Sequence, residues 1–136
     1  VSFRLIEEAA QLLGSDYDVE ILEAHHNQKM DAPSGTAVRM GQILSQALGR
    51  KYPDDAVFHR EGQIGKRGPM EIGIQTLRGG DVTGDHTVYF FGTGERIEIT
   101  HRATSRDNFA SGVIRAIRWI VGQSPGVYGM NQVLGI

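Results

Sequence analysis

The sequence has no cysteine among its 136 residues, which removes disulfide scaffolds, thiolate zinc sites and cysteine nucleophiles together. It has no apolar run near the roughly 20 residues that cross a bilayer, and no N-x-S/T glycosylation acceptor. Its opening, Val1-Ser2-Phe3-Arg4-Leu5-Ile6-Glu7-Glu8-Ala9-Ala10, is an amphipathic pattern and not that of a signal peptide. It starts mid-pattern without an initiator methionine, so the expectation is a piece of a longer chain in a soluble, cytoplasmic protein. An excess of positive charge is also missing. Fourteen Lys and Arg stand against sixteen Asp and Glu, a net charge of −2, which excludes a globally basic nucleic-acid-binding protein. No H-E-x-x-H and no G-x-G-x-x-G occurs.

What is present reads as one ordinary domain spanning 1–136. Hydrophobic residues are 40% and charged residues 22%, a balance that argues against disorder. Eighteen glycines are about twice the usual share. They fall without a repeat period and suit a sheet with many tight turns better than a nucleotide loop.

Helical spacing of Phe3, Ile6, Ala9, Ala10 and Leu13 predicts a helix over 3–13, stopped at Gly14. The alternation of Val19 and Ile21 predicts a strand over 18–25. A second helix opens near Ser34, carries Ala37, Met40, Leu44, Ala47 and Leu48 on one stripe, and closes at Gly49. Strands follow at 56–60, 70–78, 85–92 and 95–103, the last two joined by a hairpin. In 87–91 both faces are apolar, which predicts cover on both sides by a helix or another subunit. The strongest helix is 106–121, with Phe109, Val113, Ile117 and Ile120 on one stripe and Ser105 or Asp107 as cap. The apolar residues of the tail, 125–136, need a partner surface. The order gives an α+β domain: a mixed, mostly antiparallel sheet of four to five strands with helices packed on one face.

Chemistry concentrates in residues 23–37, Glu-Ala-His-His-Asn-Gln-Lys-Met-Asp-Ala-Pro-Ser-Gly-Thr-Ala. A strand ends at His25-His26, a loop carries Lys29 and Asp31, and a helix begins at Ser34-Gly35-Thr36. That helix start gathers free N–H groups, two hydroxyls and the positive end of the helix dipole. It is either a plain N-cap or an anion site for a carboxylate or phosphate. His25, His26 and Lys29 beside it make an electropositive pocket whose members can give protons near neutral pH. Such a pocket suits an acidic substrate, and a proton donor there suits addition of hydride and proton across a polarised C=N or C=C bond. A metal centre built on His25, His26, Asp31, His59, His86 and His101 is the rival reading. Adjacent histidines at a strand end point to opposite sides, so they rarely share one ion, and the expectation is no metal. Gly62-Gln63-Ile64-Gly65-Lys66-Arg67 fails the spacing of a phosphate loop and is expected to be a mobile basic turn.

The stretch Glu23-Ala24-His25-His26-x-x-Lys29-x-Asp31-Ala32-Pro33-Ser34-Gly35-Thr36-Ala37 resembles the signature of the dihydrodipicolinate reductases. The resemblance runs on through Arg60-Glu61-Gly62, Gly65-x-Arg67, Arg78-x-Gly80-Asp81-Val82-x-Gly84-Asp85-His86 and Gly94-Glu95-Arg96-Ile97-Glu98-Ile99-Thr100-His101. It continues in Ala103-x-Ser105-Arg106-x-x-Phe109-Ala110 and Gly126-Val127-Tyr128-x-Met130, so it covers nearly the whole chain. It implies an NADPH- or NADH-dependent reductase of lysine and diaminopimelate biosynthesis acting on a small cyclic dicarboxylate. It also implies His25 as proton donor, Lys29 as second donor, and His26, Ser34, Gly35 and Thr36 as holders of the substrate carboxylates. Arg106 and Phe109 would border the nicotinamide. The family assembles as a homotetramer through the sheet of this half, and its N-terminal Rossmann domain has no counterpart here. From about Arg106 onward the chain would pack on that missing domain. The resemblance therefore implies a substrate-binding and oligomerisation half, or, taken alone, a catalytically inactive oligomerisation module.

Overall fold

Between Asp18 and His25 every second side chain is buried: Val19, Ile21, Glu23 and His25. A strand with one covered face requires that alternation. This strand, β1 (Asp18–His25), is the middle of the fold. The structure, a computed structural model, describes residues 1–136. Its other elements are α1 (Ser2–Leu13), a 3₁₀ turn (Gly14–Asp16), α2 (Gly35–Ala47), β2 (Ala56–Val57), β3 (Ile72–Arg78), β4 (Gly84–Phe91), β5 (Arg96–Ala103), α3 (Asp107–Ile120) and α4 (Met130–Leu134).

The strands form one five-stranded sheet in the order β2-β3-β1-β4-β5. β3 runs parallel to both β1 and β2, whereas β4 runs antiparallel to β1 and β5. The sheet is mixed, as expected, but β1 connects through α2 to parallel strands. Such a crossover is what parallel neighbours need. It places the start of α2 at the C-terminal end of β1, beside the point where strand direction changes. In open α/β sheets that is a recurrent ligand position.

Register lays the helix-facing side of the sheet out in rows. Ile72, Val19, Phe90 and Ile97 make one row, and Ile74, Ile21, Val88 and Ile99 the next. Ile6 and Ala10 of α1 and Ala37, Met40 and Leu44 of α2 close over these rows from β3 to β4 as a single buried core, with Ile99 partly buried beside it and Ile97 exposed at the β5 edge. The third row is Thr76, Glu23, His86 and His101, so the face turns from aliphatic to polar within one strand period. Burying this face is the main stabilising term, at roughly 25 cal/mol per Å² of apolar surface.

One close approach inside this core gives a direct test. A Cβ on Gly41 of α2 would meet Ile74 Cδ1 at 2.9 Å and Tyr52 Cε2 at 3.1 Å. Gly41→Ala gains about 1 kcal/mol of helix propensity but overpacks a fully buried side chain at about 1–3 kcal/mol. It is expected to lower stability in urea unfolding. Gly112→Ala in α3, where a Cβ meets nothing within 4 Å, is expected to raise it by up to about 1 kcal/mol.

Two expectations change. The strand at 56–60 shrinks to two residues, because residues 58–71 leave the sheet edge as a loop. That loop is pinned, not mobile. Arg60 grips both carboxylate oxygens of Glu20 at 2.8 and 2.9 Å, and Arg67 reaches Asp18, Glu20 and the carbonyls of Val19, Gly68 and Glu71. A guanidinium fork on paired carboxylates is among the stronger polar contacts. Within this chain, helices cover one side of the strand 87–91. Val88 and Phe90 lie in the core, while Tyr89 stacks on Phe91 on the opposite face, where Leu77 and Phe91 are exposed.

The helix over 106–121 forms as Asp107–Ile120, with Ser105 Oγ accepting the Asp107 N–H at 3.1 Å. It buries none of its residues. Phe109, Val113, Ile114, Ile117 and Ile120 remain exposed, and its neighbour is the short α4, with Trp119 edge-on to Tyr128.

Candidate functional site

The site is built on Glu23. It is the only acidic residue with no exposed surface, and it accepts five hydrogen bonds. Its Oε2 takes His25 Nδ1 at 2.6 Å and Arg78 Nη1 at 2.8 Å. Its Oε1 takes the Ser34 N–H at 3.0 Å, Arg78 Nη2 at 3.0 Å and the Thr76 hydroxyl at 3.1 Å. Burial by itself would raise its pKa. The Arg78 guanidinium, His25, the Ser34 N–H and Thr76 together outweigh burial and hold it down at about 2. One carboxylate thus ties β1 to β3 and to the start of α2.

Ser34 caps α2, its Oγ accepting the Ala37 N–H at 3.2 Å and lying 2.9 Å from His86 Nε2. The helix cap expected from sequence is present, and Ser34 is buried beneath it, with its N–H on Glu23 and its hydroxyl on His86. The N–H groups of Gly35 and Thr36 and the Thr36 hydroxyl make no hydrogen bond within the chain, and both residues are exposed. These are the groups that point outward at the positive end of the helix. His86, almost fully buried on β4, meets the His25 ring edge-on at 5.1 Å. Burial, and then the neighbouring His25, push its pKa down to about 4, so it is neutral near pH 7.

A cavity of about 210 Å³ opens between α1, α2 and this end of the sheet. Its wall includes His25, Thr36, Gly84, His86, His101 and Phe109. Of the residues singled out from sequence, the structure therefore brings His25, Thr36 and Phe109 together on one wall, with Gly35 next to them. His26 follows β1 with its N–H on the Val82 carbonyl and is not on that wall. Lys29 lies on the 26–33 loop, its Nζ 2.8 Å from Asp31 Oδ1. That hydrogen bond holds the Asp31 carboxyl below its usual range. Arg106 is exposed at the start of α3. Two members of the cluster expected from sequence, His25 and Lys29, are thus each held by a carboxylate of the chain, Glu23 and Asp31. No three His, Asp or Glu side chains are arranged to hold a metal ion.

Sequence reasoning gives Glu23, Thr76 and Arg78 no role in this site and names His86 only for the rival metal centre. The signals for them are the period-2 strand with Glu23 and His25 on its apolar face, which calls for buried partners, and the place of Glu23, Arg78 and His86 among the residues that carry the resemblance.

Relatives resolve which family this geometry serves. The model for "Dihydrodipicolinate reductase, C-terminus" matches residues 1–134. The chain belongs to the dihydrodipicolinate reductase family. Among curated relatives, the 4-hydroxy-tetrahydrodipicolinate reductase of Syntrophotalea carbinolica is 63% identical over 134 residues, covering 98% of this chain and 50% of its own. That of Geobacter sulfurreducens is 58% identical over 136 residues, covering 100% of this chain and 51% of its own. The chain spans about half the length of these reductases. A solved structure, the dipicolinate-bound dihydrodipicolinate reductase from Paenisporosarcina sp. TG-14, superposes with a TM-score of 0.68 at 30% identity. It covers 96% of this chain and 50% of its own. The 23–37 signature of the reductases therefore lies on the strand end, loop and helix start described above.

Proposed function

We propose that this chain is the substrate-binding and proton-donating half of an NADPH- or NADH-dependent 4-hydroxy-tetrahydrodipicolinate reductase of lysine and diaminopimelate biosynthesis. One observation carries the reading. Thr36, with its unpaired N–H at the helix start, and the imidazole of His25 line one cavity, with Gly35 beside Thr36 in the chain, so a carboxylate held at the helix start places its ring against His25. His26 and Lys29, on the loop between β1 and α2, are the residues we assign to the second carboxylate, Lys29 exchanging Asp31 for it. Ser34 holds the helix start from beneath. His25 and then Lys29 are the proton donors. The Paenisporosarcina reductase binds dipicolinate, a flat ring with two carboxylates, and a ligand of that chemistry suits the cavity edge described here.

The nicotinamide fits only at the rim of this chain. The half-exposed Phe109 ring gives a flat apolar face on the His25 wall, and Arg106 stands exposed one turn earlier. When bound, the cofactor supplies the hydride; this chain's residues orient the ring, exclude water and deliver the proton. The dinucleotide needs a domain of its own, for which residues from about Arg106 onward offer the exposed stripe of α3. Assembly as a homotetramer uses the uncovered sheet face of Tyr89, Phe91 and Leu77. No helix is long and apolar enough to cross a membrane, and a soluble, cytoplasmic setting is part of the same proposal.

Titration calorimetry with pyridine-2,6-dicarboxylate tests the site. Saturable binding is expected, and Thr36→Ala is expected to weaken it by roughly tenfold, the loss of one charge-assisted hydrogen bond. No heat at any ionic strength overturns the reading. A second reading, that the chain alone is a catalytically inactive oligomerisation module, is favoured by the lack of any G-x-G-x-x-G loop in this sequence. Following NADPH oxidation by the isolated chain separates the two: turnover excludes the inactive module.

A further inference from the structure

Every donor around Glu23 makes the same demand on it. Arg78, the Ser34 N–H and the Thr76 hydroxyl all need an acceptor, and both carboxylate oxygens are engaged. A carboxylic acid or an amide has one oxygen fewer to offer, so only the ionised carboxylate satisfies the set. An ionised carboxylate can only accept, which leaves His25 Nδ1, 2.6 Å away, as the donor. The other nitrogen of the ring, Nε2, has no hydrogen-bond partner in the chain. It lies against Gly84, where a Cβ would stand 3.0 Å from it, so a side chain at position 84 would close the approach.

We propose that Glu23 is the positioning residue of this site: it locks His25 in the tautomer that carries hydrogen on Nδ1, so that Nε2 alone exchanges a proton with whatever occupies the cavity. The catalytic meaning rests on the reading of His25 as proton donor. Around the ring, the ionisable groups that face it are Glu23 on β1, Arg78 on β3, His86 on β4 and His101 on β5. The 26–33 loop carries Lys29, which is held by Asp31, and the Asp31 carbonyl accepts from Arg78. The α2 residues on the cavity wall, Thr36 and Met40, are uncharged. Glu23 is the one anion within hydrogen-bond reach of the imidazole, so the tautomer is its doing.

Glu23→Gln makes the clearest change. The amide oxygen is expected to stay with Ser34 and Thr76, which turns the NH₂ group toward His25. Nδ1 must then accept, and the hydrogen moves to Nε2, the wrong nitrogen for proton uptake at the cavity.

Imidazole ¹H–¹⁵N correlation spectra of the 136-residue chain at alkaline pH read the tautomer directly. The expected result is Nδ1–H in the wild type and in Glu23→Asp, and Nε2–H in Glu23→Gln. In the full-length reductase, Glu23→Gln is expected to lower kcat by about 10²–10⁴-fold with KM within about threefold, and Glu23→Asp to recover part of the loss. The proposal is overturned if wild-type His25 carries its hydrogen on Nε2, or if Glu23→Gln leaves the tautomer unchanged. Should Glu23→Gln not fold, the wild-type and Glu23→Asp spectra still decide. The spectra require no turnover, so failure of the functional reading would show as normal kcat in a His25 variant with the tautomer result intact.

Discussion

His25→Ala in the full-length reductase is expected to lower kcat by about two to four orders of magnitude, the range a positioned proton donor contributes. The geometry argues for this residue over its neighbours. His25 alone of the sequence-selected cations has its ring on the cavity wall, one nitrogen held by a buried carboxylate and the other open. Lys29→Ala is expected to cost less in kcat and to raise KM as well. Its ammonium sits on a loop against Asp31, so it meets the substrate as a charge before it serves as an acid. Near-normal kcat in both variants would remove the proton-donor assignment, leaving the helix-start anion site standing by itself. Steady-state kinetics across pH 5 to 9 separate the two roles, because loss of a general acid removes one limb of the profile, whereas loss of a binding charge lifts KM throughout.

Acid is expected to unfold this domain in two overlapping stages, through His86 and then Glu23. Both groups titrate lower in the folded state than in the unfolded chain, so in each case the unfolded state binds more protons and stability drops as pH drops. For His86 the window runs from its ordinary value near 6.5 down to about 4, because burial and then the nearby His25 disfavour its charge. For Glu23 it runs from about 4.5 down to about 2, because the hydrogen bonds from Arg78, His25, Ser34 and Thr76 outweigh its burial. Each shift is worth roughly 3 kcal/mol across its full window, a large share of the 5–15 kcal/mol that holds a typical domain together. Asp31 and Glu71, also lowered by their partners, act in the same direction. Urea unfolding from pH 7 to pH 3 measures this. His86→Gln is expected to remove the fall between 6.5 and 4 and to keep the fall below 4.5. A stability that stays flat from pH 7 to 4 in the wild type would show that His86 accepts a proton without cost.

Much of the fold was legible because periodicity is a local property. The alternation of Val19 and Ile21 and the stripes of α1, α2 and α3 name their elements within a few residues, and Ser34 announces its own cap. The 58–71 loop was not legible in the same way. Gly62 and Gly65 look like punctuation for a mobile turn until Arg60 and Arg67 are seen to meet Glu20 and Asp18, 40 and 49 positions earlier in the chain. Nor could the strand at 56–60 be sized, since its length depends on where the chain leaves the edge of β3 for the 58–71 loop.

The sequence by itself determined the family, the strand-loop-helix order of residues 23–37 and the chemical types gathered there, because a motif and a hydrophobic period are written in neighbouring residues. Only the tertiary structure decided that Glu23 anchors the site, that Arg78 and His86 join it, and that Lys29 and His25 arrive already paired with carboxylates. Those facts depend on strand register. A carboxylate at one position of β1 meets Thr76 on one side and His86 on the other only once β3 and β4 have aligned against it. No local pattern encodes that alignment, because it is fixed by the aliphatic rows packed beneath.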